Sequence, residues 1–207
     1  ATSRKMDVVK ATLKKDGTLE GNVKFTYDGV SSLRRKKSIA AAKDSADFVK
    51  ELEKELSFSV LRYGSKGVKE FSPTMQESVH FQKTIGGGDV LYLRPVLVKP
   101  FGEVPFTATQ RDMPVEFDSP IMETYNARIK IPEGYDIEEL PQPRILRSPD
   151  RLISLHCQFS FEDGFLSVIY TFQIKKALFF QDEYPGLKRF FEDVNHVLES
   201  VVVFKKK

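Results

Sequence analysis

Apolar and polar side chains change period several times along this chain. Over residues 8–13, and again at Leu19, Val23, Phe25 and Tyr27, they alternate as in a half-buried strand. Asp16-Gly17 lies between the two runs and favours a tight turn, which predicts a hairpin. Asp28-Gly29 ends the second run. Past a basic stretch the period becomes helical. Phe48, Val49, Leu52 and Leu56 fall on one face, and Lys50, Glu51, Lys54 and Glu55 face water. Asp44 or Ser45 can cap that helix. Short β-like runs follow at residues 58–63, 79–83 and 90–93, with Gly86-Gly87-Gly88 turning the chain between the last two.

Pro95, Pro100, Pro105, Pro114 and Pro120 forbid a long helix in the middle of the chain, which reads as a lobe boundary or crossover. Alternation then resumes. Tyr125, Ala127, Ile129 and Ile131 share one strand face, and Pro132-Glu133-Gly134 breaks the strand. Ile153, Leu155, Cys157, Phe159 and Phe161 form another such face. Asp163-Gly164 turns the chain into a return strand over residues 165–174. A helix starts near Pro185, with Leu187, Phe190, Phe191, Val194, Val197 and Leu198 as its apolar stripe. Residues 201–204 make a last strand.

The pattern predicts a β-rich α+β fold. Its antiparallel sheets are sandwich- or barrel-like, with two main amphipathic helices, and residues 1–100 and 101–207 form two similar lobes. Each half shows strand, Asp-Gly turn, strand and amphipathic helix. A structural duplication explains this, and so does chance recurrence of a common α+β unit.

Composition narrows the class. At 207 residues the chain can bury a core without disulfides or metal. No apolar run approaches the ~18–20 residues needed to cross a bilayer. The net charge of +3 hides an asymmetry: 19 Lys/Arg against 12 Asp/Glu in residues 1–100, and 13 against 17 in the rest. The start ATSRKMDVV has neither an initiator Met nor a charged-then-apolar leader, and reads as a processed product or an excised piece.

Reactive constellations are not legible. Cys157, the single cysteine, falls mid-strand on the apolar face, and His156 points to the opposite face, which argues for a buried, inert thiol. His80, His156 and His196 show no metal-ligand spacing. Gly86-Gly87-Gly88-Asp89 lacks the Gly-Lys-Ser/Thr of a phosphate loop. Glu138-Glu139 and Asp182-Glu183 are adjacent loop pairs rather than carboxylates facing across a cleft. The basic run of residues 34–37 reads as a solvated loop, since no stacked aromatics accompany it as in nucleic-acid modules. The expectation is therefore a chain with no catalytic, cofactor or metal residues and no nucleic-acid partner.

A family resemblance rests on Arg111, Pro114-Val115-Glu116-Phe117, Ile131-Pro132-Glu133-Gly134-Tyr135, Leu140-Pro141 and Glu183-Tyr184-Pro185. Over about residues 101–206 these resemble a bacterial domain of unknown function. In that family it closes exported multidomain proteins that carry a transglutaminase-like, papain-like cysteine core upstream. The resemblance implies a noncatalytic accessory domain in the periplasm or at the cell surface. Its partners would be the upstream domains of the same polypeptide, or a surface protein or glycan. A glycan- or peptide-binding module is the alternative, and a stand-alone hydrolase is a third reading. The motif residues themselves read as structural. Pro132 and Gly134 make a turn, Phe117 and Tyr135 are core or seam aromatics, and Tyr184-Pro185 sets a helix entry. Arg111 could pair with a carboxylate at the lobe seam.

Overall fold

A computed structural model describes residues 2–69, 71–102 and 104–207. The opening hairpin is longer than its apolar alternation: β1 spans Ser3–Leu13 and β2 Thr18–Asp28, with Leu13 opposite Leu19. Lys15, Asp16 and Gly17 close it. The Thr18 N–H donates to Asp16 Oδ1 at 2.9 Å, and Gly17 takes φ 83°. A Cβ on Gly17 would lie 2.2 Å from the Gly86 carbonyl carbon, so this turn and the triple-glycine loop need each other small.

Gly29 leads into α1, Val30–Ala41. This corrects the reading of residues 34–37 as a loop. The helix has no apolar stripe to betray it, and its buried residue is Ser32. Polar contacts hold it instead: Ser31 Oγ donates to the Arg4 carbonyl at 2.5 Å and Lys36 Nζ to the Ser72 carbonyl at 2.7 Å. The next helix, α2, is Ser45–Leu56 and follows the pattern. The Asp47 N–H donates to the Asp44 side chain at 2.8 Å, and Phe48, Leu52 and Leu56 are buried. Then come β3 Ser59–Lys66, β4 Thr74–Thr84 and β5 Val90–Leu93.

The proline-rich middle holds one short strand among the described residues, β6 Val115–Glu116. The second half contributes β7 Ile121–Lys130, β8 Tyr135–Glu139, β9 Arg144–Arg147, β10 Ile153–Glu162 and β11 Phe165–Ile174. Asp163 and Gly164, both at positive φ, link the last two. β12 Leu178–Phe179, α3 Tyr184–Leu198 and β13 Val202–Lys206 complete the chain.

Eight strands form one sheet in the order β3-β4-β2-β1-β7-β11-β10-β9. Each half supplies four of them. They meet at the parallel pair β1–β7, and every other neighbouring pair is antiparallel. β5-β13-β8 and β12-β6 form two small sheets. The fold is β-rich α+β, with one mixed and two small antiparallel sheets that stay open rather than closing into a barrel. The two hairpins sit in opposite senses. In β1–β2 the first strand is central, whereas in β10–β11 the second strand lies nearer the centre.

One face of the large sheet is packed. Over the first half, Phe58 meets Phe81 from β4 at 4.5 Å between centroids. Over the second half, Phe191 of α3 gathers Phe101, Phe106 and Phe172 at 4.9, 4.9 and 5.7 Å. Each fully buried aromatic or aliphatic side chain of this kind contributes about 1.5–3 kcal/mol. No helix among the described residues is long and apolar enough to cross a membrane.

Candidate functional site

The packed face is not apolar from end to end. Along β1 its residues run Ser3, Lys5 and Asp7 before giving way to Val9, Ala11 and Leu13. Strand register sets Lys5 between Tyr27 of β2 and Glu123 of β7, and Asp7 between Phe25 and Tyr125. Phe25 faces Glu77 of β4 in turn. One end of the sheet's inner face thus carries a row of charged groups within a single layer.

Each charge has a definable environment. Lys5 Nζ lies 3.1 Å from Asp7 Oδ2 and over the rings of Phe25 and Tyr27. Burial pushes the Asp7 carboxyl above its usual pKa, and Lys5 offsets only part of that shift. Burial also raises Glu123, to about 7, against the opposing pull of Lys5. Glu123 Oε2 is fully buried without a hydrogen-bond partner, while other atoms of the residue reach a cleft. Glu77, 1% exposed, accepts from Arg35 Nε at 2.7 Å and from the Tyr63 hydroxyl at 2.7 Å. Arg35 also donates to Glu55 at 3.1 Å and lies over the Phe48 ring at 5.1 Å. The basic run thus places one arginine inside the protein, holding a buried carboxylate.

Of these groups Lys5, Arg35, Glu55 and Glu123 border a cleft of about 800 Å³ between the α1–α2 pair and the strap of residues 94–102, with Asp7 and Glu77 behind its wall. Two stacked tyrosines hold the strap. The Tyr125 hydroxyl donates to the Pro95 carbonyl at 2.7 Å and accepts from the Leu97 N–H at 3.1 Å, and the Tyr170 hydroxyl donates to the Val98 carbonyl at 2.9 Å. Among the described residues lining the cleft, seven are Lys or Arg and three are Glu, which makes it a basic recess. A second hollow of about 550 Å³ lies between Lys10, Glu20, His80 and Arg128 on the outer face of the sheet.

The cysteine and histidines singled out by the sequence lie away from this cleft, whereas Arg34 and Arg35 of the basic run line it. Cys157 is 1% exposed in β10, and burial pushes its thiol up to about 12. His156 is exposed beside Arg147 at 3.3 Å, His80 lies 3.1 Å from Glu20, and His196 is exposed on α3. Among the described residues no group of three or more His, Cys, Asp or Glu side chains is placed to hold a metal ion.

The motif positions make turns and packing. Pro114 precedes β6, and Phe117 packs on Phe179 and Phe191. The Pro132 carbonyl accepts from the Tyr135 N–H at 3.4 Å, and Gly134 takes φ 87°. The Tyr135 hydroxyl donates to the Gly88 carbonyl at 2.5 Å. Pro141 follows β8, and Pro185 lies in the first turn of α3. Tyr184 is buried and donates to the Ala108 carbonyl at 2.9 Å. Arg111 does not make the carboxylate pair open to it: its guanidinium lies over the Tyr184 ring at 5.8 Å, and no carboxylate among the described residues pairs with it. An exposed arginine reaches a ring face as readily as an anion, and Tyr184 is the surface next to it.

Sequence reasoning missed Lys5, Asp7, Glu77 and Glu123, although a signal was present. Each stands in phase with an apolar strand face: Glu123 two residues before Tyr125, and Glu77 two before Val79. A charge in the inward phase is the mark of a buried polar site.

No curated protein matches the chain. Among solved structures, the crystal structure of a "putative protease" from Parabacteroides distasonis is similar over 56% of this chain and 23% of its own, at 15% identity and a TM-score of 0.46. The chain thus spans less than a quarter of that protein's length, and a likeness of this degree carries no argument about function. The model of the family described as a domain of unknown function, DUF3858, matches residues 89–204. That match spans more than half of the sequence, and the chain belongs to the DUF3858 family.

Proposed function

We propose that the chain is a noncatalytic accessory and interaction domain of an exported protein with a transglutaminase-like core. The observation that carries the reading is the burial of Cys157. The chain's one thiol, the nucleophile such chemistry requires, is shut inside the sheet with its pKa raised. Any acyl-transfer or peptidase chemistry would then belong to other domains of the same polypeptide. The basic cleft favours a second reading, a peptide- or glycan-binding module, because a recess lined by charged groups selects ligands by charge.

The test is an assay of the purified chain against peptide and acyl-transfer substrates, with Cys157→Ala in parallel. The accessory reading expects no turnover from either protein. Turnover by the wild type that disappears in the alanine variant would overturn it. Peptide-library and glycan-array screens address the second reading, and two blank screens would remove it.

A further inference from the structure

Five of the seven cations lining the cleft already have an anion. Lys5 pairs with Asp7 at 3.1 Å, Arg34 with Asp118 at 2.5 Å and Arg35 with Glu77 at 2.7 Å. Lys54 pairs with Glu51 at 2.6 Å and Lys99 with Glu199 at 3.1 Å. Lys83 and Arg94 remain, with no close ion pair and no side-chain hydrogen bond among the described residues, although the Arg94 charge reaches Glu199 and helps hold its carboxyl below the usual range. They are also neighbours: burial first and Arg94 second hold the Lys83 ammonium below its usual pKa. Lys83 continues the inward phase of β4 after Glu77, Val79 and Phe81, so its stem is half-buried at the cleft instead of spreading into solvent.

Two like charges held together in a concave wall raise each other's energy, and an anion between them relieves that repulsion. Opposing groups are present. Glu199 stands near Arg94 and feels its charge, but its carboxylate accepts from Lys99 at 3.1 Å, and the C-terminal ends of α2 and α3 reach the cleft at Ser57 and Leu198. Against these stand Lys83, Arg94 and Lys99, so the local balance stays positive. Arg94 offers the planar fork that binds oxyanions through two parallel hydrogen bonds, and Lys83 adds a point charge.

We propose that Lys83 and Arg94 form a subsite for an oxyanion, a carboxylate or a phosphate or sulfate group, carried by a ligand lying in the cleft. The inference goes beyond the accessory reading and stands without it, since an anion subsite does not depend on what the parent polypeptide catalyses.

The experiment is an NMR titration of the whole chain with N-acetylglutamate, inorganic phosphate and sodium sulfate in separate arms, with chloride matching ionic strength. Lys83→Gln, Arg94→Gln and, as an outer-face control, Lys24→Gln are titrated in parallel. At least one probe is expected to give saturable shifts at residues 83 and 94. Either cleft variant should weaken that binding about tenfold or more, the loss of a charge-assisted contact, and the control should leave it unchanged. The arm that saturates identifies the oxyanion. No saturation by any probe, or saturation insensitive to both cleft variants, would overturn the proposal. Amide spectra of each variant report folding, and failure here leaves the enzymatic assays of Cys157→Ala unaffected.

Discussion

Tyr125 and Tyr170 stack face to face across β7 and β11, their ring centroids 5.1 Å apart and their planes within 7°, and both hydroxyls hold the strap that walls the cleft. Tyr125→Phe leaves the Pro95 carbonyl and the Leu97 N–H without their partner. We expect about 1–3 kcal/mol of destabilisation, and Tyr170→Phe should cost about 1 kcal/mol through its single bond. Urea denaturation gives the magnitudes. Hydrogen exchange should show the Leu97 amide losing protection in Tyr125→Phe and keeping more of it in Tyr170→Phe.

Glu123 makes stability depend on pH with a definite sign. Its pKa rises from 4.5 to about 7 on folding, so the native state holds a proton that the unfolded chain has released. Its contribution is fully present below about pH 4.5 and is lost as pH rises through about 7. Glu123→Gln removes this dependence. The variant should gain up to about 3 kcal/mol on the wild type near pH 8 and little near pH 5. Denaturant midpoints at the two pH values give the answer, and an equal effect at both would contradict it.

The Arg35–Glu77 pair is nearly sealed from water, with side chains 11% and 0% exposed. Arg35→Met strands the Glu77 carboxylate on Tyr63 alone, and a loss of about 3–5 kcal/mol is expected. Adding Glu77→Gln should recover part of it, because the stranded charge is then gone. A double-mutant cycle with a coupling energy near zero would show that the two residues act independently.

Cys157 should resist thiol reagents in the native protein and react at the rate of global opening as denaturant rises. Cys157→Ser places a hydroxyl where no partner is provided and should cost about 1–3 kcal/mol. Fast native labelling with Ellman's reagent would contradict the buried position.

The elements that burial of apolar stripes created were legible in the sequence. β1–β2, α2, β10–β11 and α3 all announce themselves by period and by capping or turn residues, Asp44, Asp163-Gly164 and Pro185 among them. The helix α1 did not, because its grip on the fold is Arg35, Ser31 and Lys36 reaching polar partners distant in sequence, and no local period records that. β8 and β9 rest on pairings with β13 and β10, which long-range register decides. At and behind the cleft wall, Lys5, Asp7, Glu77 and Glu123 were readable in principle as charges in the inward phase. That Lys83 and Arg94 form no close ion pair was not, since it depends on where every other carboxylate ends up.

The parallel seam between β1 and β7 has a consequence for assembly. Lys5 and Glu123 stand opposite one another, yet the whole first half of the chain must be laid down before they can meet. Closing so long a loop is entropically slow. During synthesis the β1–β2 hairpin therefore waits with its outer N–H and C=O groups unsatisfied, in reach of other nascent chains. The family-matched region begins only at residue 89. Expressed by itself it would leave β7 as a bare edge, open to aggregation through that edge.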